Sequence, residues 1–451
     1  MKKNSNMMKM AIRLSAFMLG IGLLTACKKD RDATSAANTA ELVQEVKANA
    51  KPFSGSEPTA NNAELSFLDA PLSDAKVIGL GEASHGAKEF QNVNHRLIRY
   101  LTEKGKLASV GLELDYAAGL YINKYIRREA EGQIYIGDGP FRTEEVVNAI
   151  RWMRAYNDTQ SAARKLSFYG FDIAVDTKLS VQYLGEYFTK LTLTGYDDIA
   201  IALGEFSEEK LPLEYAKRPL EVRNSYRQAI QHLREKLQQD QGPITAQTSE
   251  REFQELLHLA TVLLQTEEIW SIDANAPGAE KQFSNKRDRF MADNATWMAN
   301  RTVNDQVTVL WAENSHIGNY YPNPAYDITT MGHHLTQEYG AKYRKILTGF
   351  SKGTVNSITT GGPVKIKDKI PSNSINAILT RVGTPQFALL TSNLSNTNKL
   401  NTYFQAYHGF LTTGAGYSAT NHDYFFLATK VSEAMDILLY FDTVNPATII
   451  P

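Results

Sequence analysis

The sequence predicts an α/β fold: a largely parallel central sheet with flanking helices and a large helical insert over the C-terminal edge of the strands. Three observations carry that reading. Short runs rich in β-branched and aromatic residues recur, and helical patterns separate most of them, the alternation expected of a parallel sheet. Four of these runs finish in charged or polar residues. The long stretch between Asp172 and Val307 shows no convincing strand.

Taken in order, the chain opens with Lys2, Lys3, Lys9 and Arg13, then an apolar stretch from about Ala16 to Leu24, then Leu24-Thr25-Ala26-Cys27. That is a secretory signal over residues 1–26, too short to span a bilayer comfortably. Its end resembles the lipobox of a bacterial lipoprotein, with Cys27 as the lipidated residue and membrane attachment through it. Residues 27–45 read as the lipidated cysteine and a solvated tether, and 46–451 as one hydrolase-type domain. The placement expected is an exported cell-envelope lipoprotein, periplasmic or surface-exposed.

The strand candidates are Val77–Leu80, Ser109–Leu114, Leu166–Tyr169, Val307–Trp311, Lys345–Phe350, Phe387–Thr391 and Ile437–Phe441. Phe90, Val93, Leu97, Ile98 and Leu101 repeat at helical spacing, and Gly105 is a natural stop. The insert, about 176–302, contains amphipathic patterns over Glu221–Gln239, Glu250–Ile269 and Glu280–Asn300. The segments 359–363 and 391–401 read as long loops.

The chain has 451 residues, 43% of them hydrophobic, enough for a large core. Its single cysteine lies in the export signal, so the sequence provides neither a disulfide nor a thiolate site in the domain. Loss of the four positive charges of residues 1–26 moves the formal net charge from −1 to −5. Such a balance offers no electrostatic footprint for nucleic acid.

Two segments end in the same spacing just past an apolar run: Lys76-Val-Ile-Gly-Leu-Gly-Glu82-Ala-Ser-His85-Gly86, and Val307-Thr-Val-Leu-Trp-Ala-Glu313-Asn-Ser-His316. In open α/β sheets ligands bind beyond the carboxyl ends of the strands. A histidine near neutral pKa activates water, and a neighbouring carboxylate fixes its tautomer. His85 with Glu82 suits that task; the plain alternative is a histidine that caps the next helix. Glu113 and Asp172 also end apolar runs, where a buried carboxylate is costly unless paired; either can simply hold a basic partner. Ser84 lacks the spacing of a nucleophile elbow. Arg96, Arg99, Arg127 and Arg128 could assist an oxyanion, although an arginine on an amphipathic helix is usually solvated. Paired Glu-x-x-His elements also suit a divalent metal held by His85, His316 and a glutamate, without a diagnostic spacing.

These motifs resemble the erythromycin esterase family of macrolide-inactivating hydrolases. The resemblance runs through Leu80-Gly-Glu-Ala-Ser-His-Gly86, Gly111-Leu-Glu113, Phe168-Tyr-Gly-Phe-Asp172, Arg287-Asp-Arg-Phe-Met-Ala292 with Asn294, Trp311-Ala-Glu-Asn-Ser-His316, Met331-Gly332, Leu335 and Asp436-Ile-Leu-Leu-Tyr-Phe-Asp442. It implies an α/β core with a large open pocket, His85 as the base that activates water without an acyl-enzyme, and Glu82, Glu113 and His316 in one cleft. Two positions depart from the family: Glu313 stands where members usually have a second histidine, and Asn94 where many have Lys or Arg. Both make the cleft more negative.

The combined reading is a hydrolase of an ester or lactone, a macrolide among the candidate substrates. His85, Glu82, Glu113, His316 and Glu313 are its catalytic candidates, and Arg96, Asn314 and Asp172 its substrate-binding candidates. No cofactor is required, with a divalent metal as the alternative. A surface lipoprotein that binds a ligand without turnover is the non-enzymatic rival.

Overall fold

The computed structural model describes residues 36–450 apart from 131–133, 175, 192, 210–211, 303–305 and 321–327. The signal segment 1–26, Cys27 and the first part of the tether lie outside the described residues. From Ala36 onward the tether expectation is corrected. A helix spans Ala36–Asn49, because Leu42, Val43 and Val46 recur at helical spacing and are buried. It packs beside the short helices Ile375–Leu379 and Lys399–Phe404, and Glu45 accepts from Asn398 at 2.8 Å.

Eleven strands are described: β1 Lys51–Pro52, β2 Val77–Glu82, β3 Leu107–Asp115, β4 Ser167–Asp172, β5 Val307–Glu313, β6 Tyr343–Ser357, β7 Gly362–Lys365, β8 Gln386–Leu390, β9 His408–Leu411, β10 Phe426–Thr429 and β11 Ile437–Val444. The central sheet runs β1-β8-β11-β6-β2-β5-β3-β4, and its core from β11 to β4 is parallel. Both β1 and β8 pair antiparallel at one edge. All seven strands expected from sequence are present. Apolar residues continue without alternation along them because the sheet is buried on both faces. Segment 359–363 is not a free loop: it turns into β7, which pairs with the end of β6. Segment 391–401 contains a short turn and the start of the helix Lys399–Phe404.

One face of the sheet packs Ile78, Leu80, Val110, Val309 and Trp311 against the helices Lys88–Glu103 and Glu144–Asp158. The first of these stops as expected at Gly105, whose φ is +67° and whose N–H returns to Thr102. The other face takes Tyr169, Phe171, Leu310 and Leu347 against the helix Tyr116–Arg127 and the insert. That insert is built on the helices Lys178–Lys190, Asp197–Ser207, Leu220–Gln239, Glu250–Trp270 and Ala279–Ala299. The last of them lies directly on the strands, with Met298 over Gly111, and carries Arg287 and Asp288 to the strand ends.

The in-register pairing of β2 with β5 matters most for the site. Leu80 lies opposite Trp311 and Glu82 opposite Glu313, so the two similar segments deliver their last residues side by side. On the far flank, the helix after β3 is pressed onto β4. A Cβ on Gly119 would sit 1.8 Å from the Gly170 nitrogen. Neither backbone can yield without moving a strand that bears a site carboxylate. Gly119→Ala is therefore expected to lower stability by about 3 kcal/mol, read as a fall in the urea midpoint; an unchanged midpoint would refute this packing.

Candidate active site

The ends of β2, β3, β4 and β5 meet at one edge, as parallel strands require. His85 follows β2 in a tight loop that Gly86 allows to lie flat on the backbone of Asn356; a Cβ there would stand 2.0 Å from the Asn356 carbonyl oxygen. Its Nδ1 lies 3.0 Å from Glu82 Oε2, and Glu82 Oε1 accepts from Trp311 Nε1 at 2.7 Å. With Glu82 held as an acceptor, the proton on the ring belongs at Nδ1, and Nε2 is turned to the site. There it stands 3.7 Å from both Glu113 Oε2 and Glu313 Oε2. Phe141 packs edge-on against the imidazole, 4.8 Å between ring centres.

The loop carrying His85 is strapped from outside. Residues 445–450 run between it and the loop bearing Phe141: Ala447 N donates to Gly86 O at 3.0 Å, and Glu144 N donates to Thr448 O at 2.8 Å. Gln91 adds an internal brace, donating to the His85 carbonyl at 2.7 Å while accepting from Thr143.

The second segment does not repeat the first. Glu313 is not the partner of His316; it faces His85 and accepts from Ser315 Oγ at 2.8 Å. His316 instead pairs through Nδ1 with Asp288, at 2.8 Å, from the insert helix. Asp288 is itself fixed by the Met331 amide at 2.7 Å. Two imidazoles thus have their Nδ1 atoms pinned by separate carboxylates, and their Nε2 atoms lie on either side of Glu113, His316 Nε2 at 3.4 Å from Oε1.

Arg287 closes the cluster. Nε and Nη2 grip Asp172 at 3.0 and 2.5 Å, Nη2 also donates to Glu113 at 2.9 Å, and Nη1 lies 3.1 Å from His316 Nε2. Glu113 accepts a further bond from the Glu313 amide at 3.0 Å. Arg287 and Asp288 belong to a motif visible in the sequence but were not among the site residues expected from it. Their signal was an Arg-Asp pair within an amphipathic helix, a pattern that a solvated face shares.

Other expected residues lie elsewhere or serve as supports. Arg96 is corrected: it points away from the cleft and binds Gly55 O and Asn61 O, with Glu64 completing its shell. Its place on the helix, fixed by the apolar stripe, turns it to the opposite side. Asn314 is also corrected, from substrate contact to support: fully buried, it bridges to β6 by donating to Thr348 O at 2.8 Å. Asp172 reaches the site as the holder of Arg287. Among the described residues, no group of three or more His, Cys, Asp or Glu is placed to hold a metal ion.

Burial opposes charge on His85, but Glu82, Glu113 and Glu313 outweigh it and lift its pKa to about 9. Burial and Arg287 likewise oppose a proton on His316, while Asp288 and Glu113 favour one and raise its pKa. A hydrogen bond from Arg287 needs His316 Nε2 bare, so that ring stands between a neutral form accepting from Arg287 and a charged form donating to Glu113. Burial would raise Glu113, yet His316, His85, Arg287 and the Glu313 amide hold it down to about 2.

Comparison with known proteins gives one family, two relatives and two solved structures of similar fold. The family model described as erythromycin esterase matches residues 103–444. Erythromycin esterase type II of Escherichia coli is 26% identical over 282 residues, 59% of this chain and 66% of that protein. Erythromycin esterase type I of Escherichia coli is 25% identical over 111 residues, 24% of this chain and 27% of that one. Each alignment thus spans slightly or well under two thirds of the relative. Among solved structures, a succinoglycan biosynthesis protein superposes with a TM-score of 0.78 at 19% identity, covering 92% of this chain and 100% of the other. A mutant of the erythromycin esterase EreC in its open conformation gives 0.64 at 17% identity, covering 87% and 97%. These likenesses show the fold.

Because His85 binds its proton more tightly in the folded chain (about 9 against 6.5), the stability it supplies is complete below pH 6.5 and is lost as pH rises through 9. Histidine-detected NMR should place its titration near that upper value, and Glu113→Gln should move it down by removing a negative charge. A titration near the ordinary value in the intact protein would refute this electrostatic picture.

Proposed function

We propose a function for this chain from one premise: it belongs to the erythromycin esterase family. Membership supports a hydrolase, and we read the chain as one that cleaves an ester or lactone with water activated by His85. The observation that carries the reading is the Glu82–His85 pair, its Nε2 turned to the cleft between Glu113 and Glu313.

In this mechanism Glu82 holds the Nδ1 proton, and the neutral ring takes a proton from water at Nε2. General-base assistance of this kind supplies about 10²–10⁴-fold. Glu113 and Glu313 flank the point where that water sits, each able to accept its second hydrogen. Among the charged groups of the cluster, Arg287 and Glu313 keep the largest exposures, 14% and 13%, so substrate approaches from their side. The names of the relatives make a macrolide lactone the first substrate to test. For the N-terminal segment we propose lipidation at Cys27 and attachment to the cell envelope. Cys27→Ala should then move the protein from the membrane fraction to the soluble one; an unmoved protein would refute this.

Mass spectrometry of erythromycin incubated with residues 28–451 tests the hydrolase reading. Gain of one water is expected, with loss of at least about 10²-fold in rate for His85→Ala; equal rates would sink the mechanism. Because His85 holds a proton below about pH 9 in the resting site, kcat/KM should climb with pH toward that value. A parallel incubation with chelator separates a metal-dependent reaction, which would stop.

A further inference from the structure

Ester hydrolysis needs, besides a base, a donor for the oxygen that gains negative charge. Within the proposed mechanism this post is vacant. His85 is committed to water, and the carboxylates repel an oxyanion. On the helix after His85, Asn94 is neutral and Arg96 is turned away to Gly55 and Asn61.

We infer that Arg287 is the oxyanion donor of this site, offering an Nη1 hydrogen beside Glu113, with Asp172, Asp288 and His316 as its positioning residues. A guanidinium has five N–H donors. With His316 neutral, four are engaged: the Nε hydrogen on Asp172, both Nη2 hydrogens on Asp172 and Glu113, and one Nη1 hydrogen at His316 Nε2; a protonated His316 turns its Nε2 hydrogen to Glu113 and releases that Nη1 hydrogen as well. The fifth, on Nη1, has no partner among the described residues. Arg287 keeps 14% of its side chain exposed, more than its partners Asp172 at 11% and Glu113 at 8%. Its geometry is fixed before substrate arrives. Asp172 grips it bidentately, Glu113 sets it on the opposite side of that carboxylate from His85, and Asp288 turns His316 so that Nε2 orients Nη1. A donor held in this way is what transition-state stabilisation requires, because no reorganisation is left to be done during reaction.

The step balances within the proposed hydrolysis. Water loses a proton to His85 Nε2 as its oxygen bonds to the carbonyl carbon, and the carbonyl π pair moves onto oxygen, where Arg287 donates. Collapse returns that pair, breaks the bond to the alkoxy oxygen, and the His85 proton leaves on the alcohol.

The inference rests on the hydrolase reading, so the test separates the two. Hydrolysis of 4-nitrophenyl acetate and of erythromycin is measured for the wild type, His85→Ala, Arg287→Ala and the double variant Arg287→Ala/Asp172→Asn, which removes a carboxylate left without its partner. Wild-type turnover lost in His85→Ala reads the hydrolase assignment. For Arg287→Ala, kcat should fall about 10²–10³-fold with KM unchanged, and millimolar guanidinium chloride, but not sodium chloride, should restore part of it. Unchanged kcat, or a double variant that is folded by circular dichroism yet inert to guanidinium, would overturn the role of Arg287 while leaving His85 in place. Failure of the wild type on both substrates would overturn the hydrolase reading and this assignment together.

Discussion

The site depends on one buried carboxylate. Burying a charge costs several kcal/mol, on the order of what a domain's net stability can bear, unless partners take it up. Glu113 has a guanidinium, an amide and two imidazoles to do so, drawn from β5, the loop after β2, the short helix after β5, and the insert helix. It therefore ties the insert to the sheet as well as the two imidazoles to each other. The register irregularity of β3 between Leu112 and Asp115 places it at the strand end, where such irregularities commonly re-aim a side chain.

Around Glu113 the charges do not balance. Glu82, Glu113, Glu313, Asp172 and Asp288 face His85, His316 and Arg287, so even with both rings protonated the carboxylates prevail. This surplus raises both imidazoles and keeps the guanidinium charged. The same surplus gives a cationic group on a substrate, or the proton on His85, a favourable place. It also sets a cost: His85 must release a proton that its surroundings are arranged to retain before its Nε2 can accept another.

Much of the frame was legible because parallel strands buried on both faces leave unbroken apolar runs, and the insert leaves charged amphipathic ones. β9 and β10 were not visible, being four residues each in a separate two-stranded sheet. The site was legible where one short segment holds both partners, as Glu82 and His85 do. It was not legible where tertiary structure chooses them. Similar spacing suggested that Glu313 serves His316, yet the helix Ala279–Ala299 brings Asp288 instead, 28 positions away. Arg96 failed for the converse reason, since nearness in sequence to His85 says nothing of the direction in which a helix turns a side chain.

The strap over the His85 loop has a consequence for how the molecule comes into being. Asn445 binds Glu89 across 356 positions of chain, and Ala447 secures Gly86 just beyond His85. Contacts of such long range form late, and during synthesis the N-terminal part is made first. The His85 loop is thus written early and locked late. Until residues 445–450 have emerged and docked, the loop after β2 lacks its outer clasp. A nascent chain is accordingly held short of a finished cleft, and maturation of the site coincides with completion of the fold.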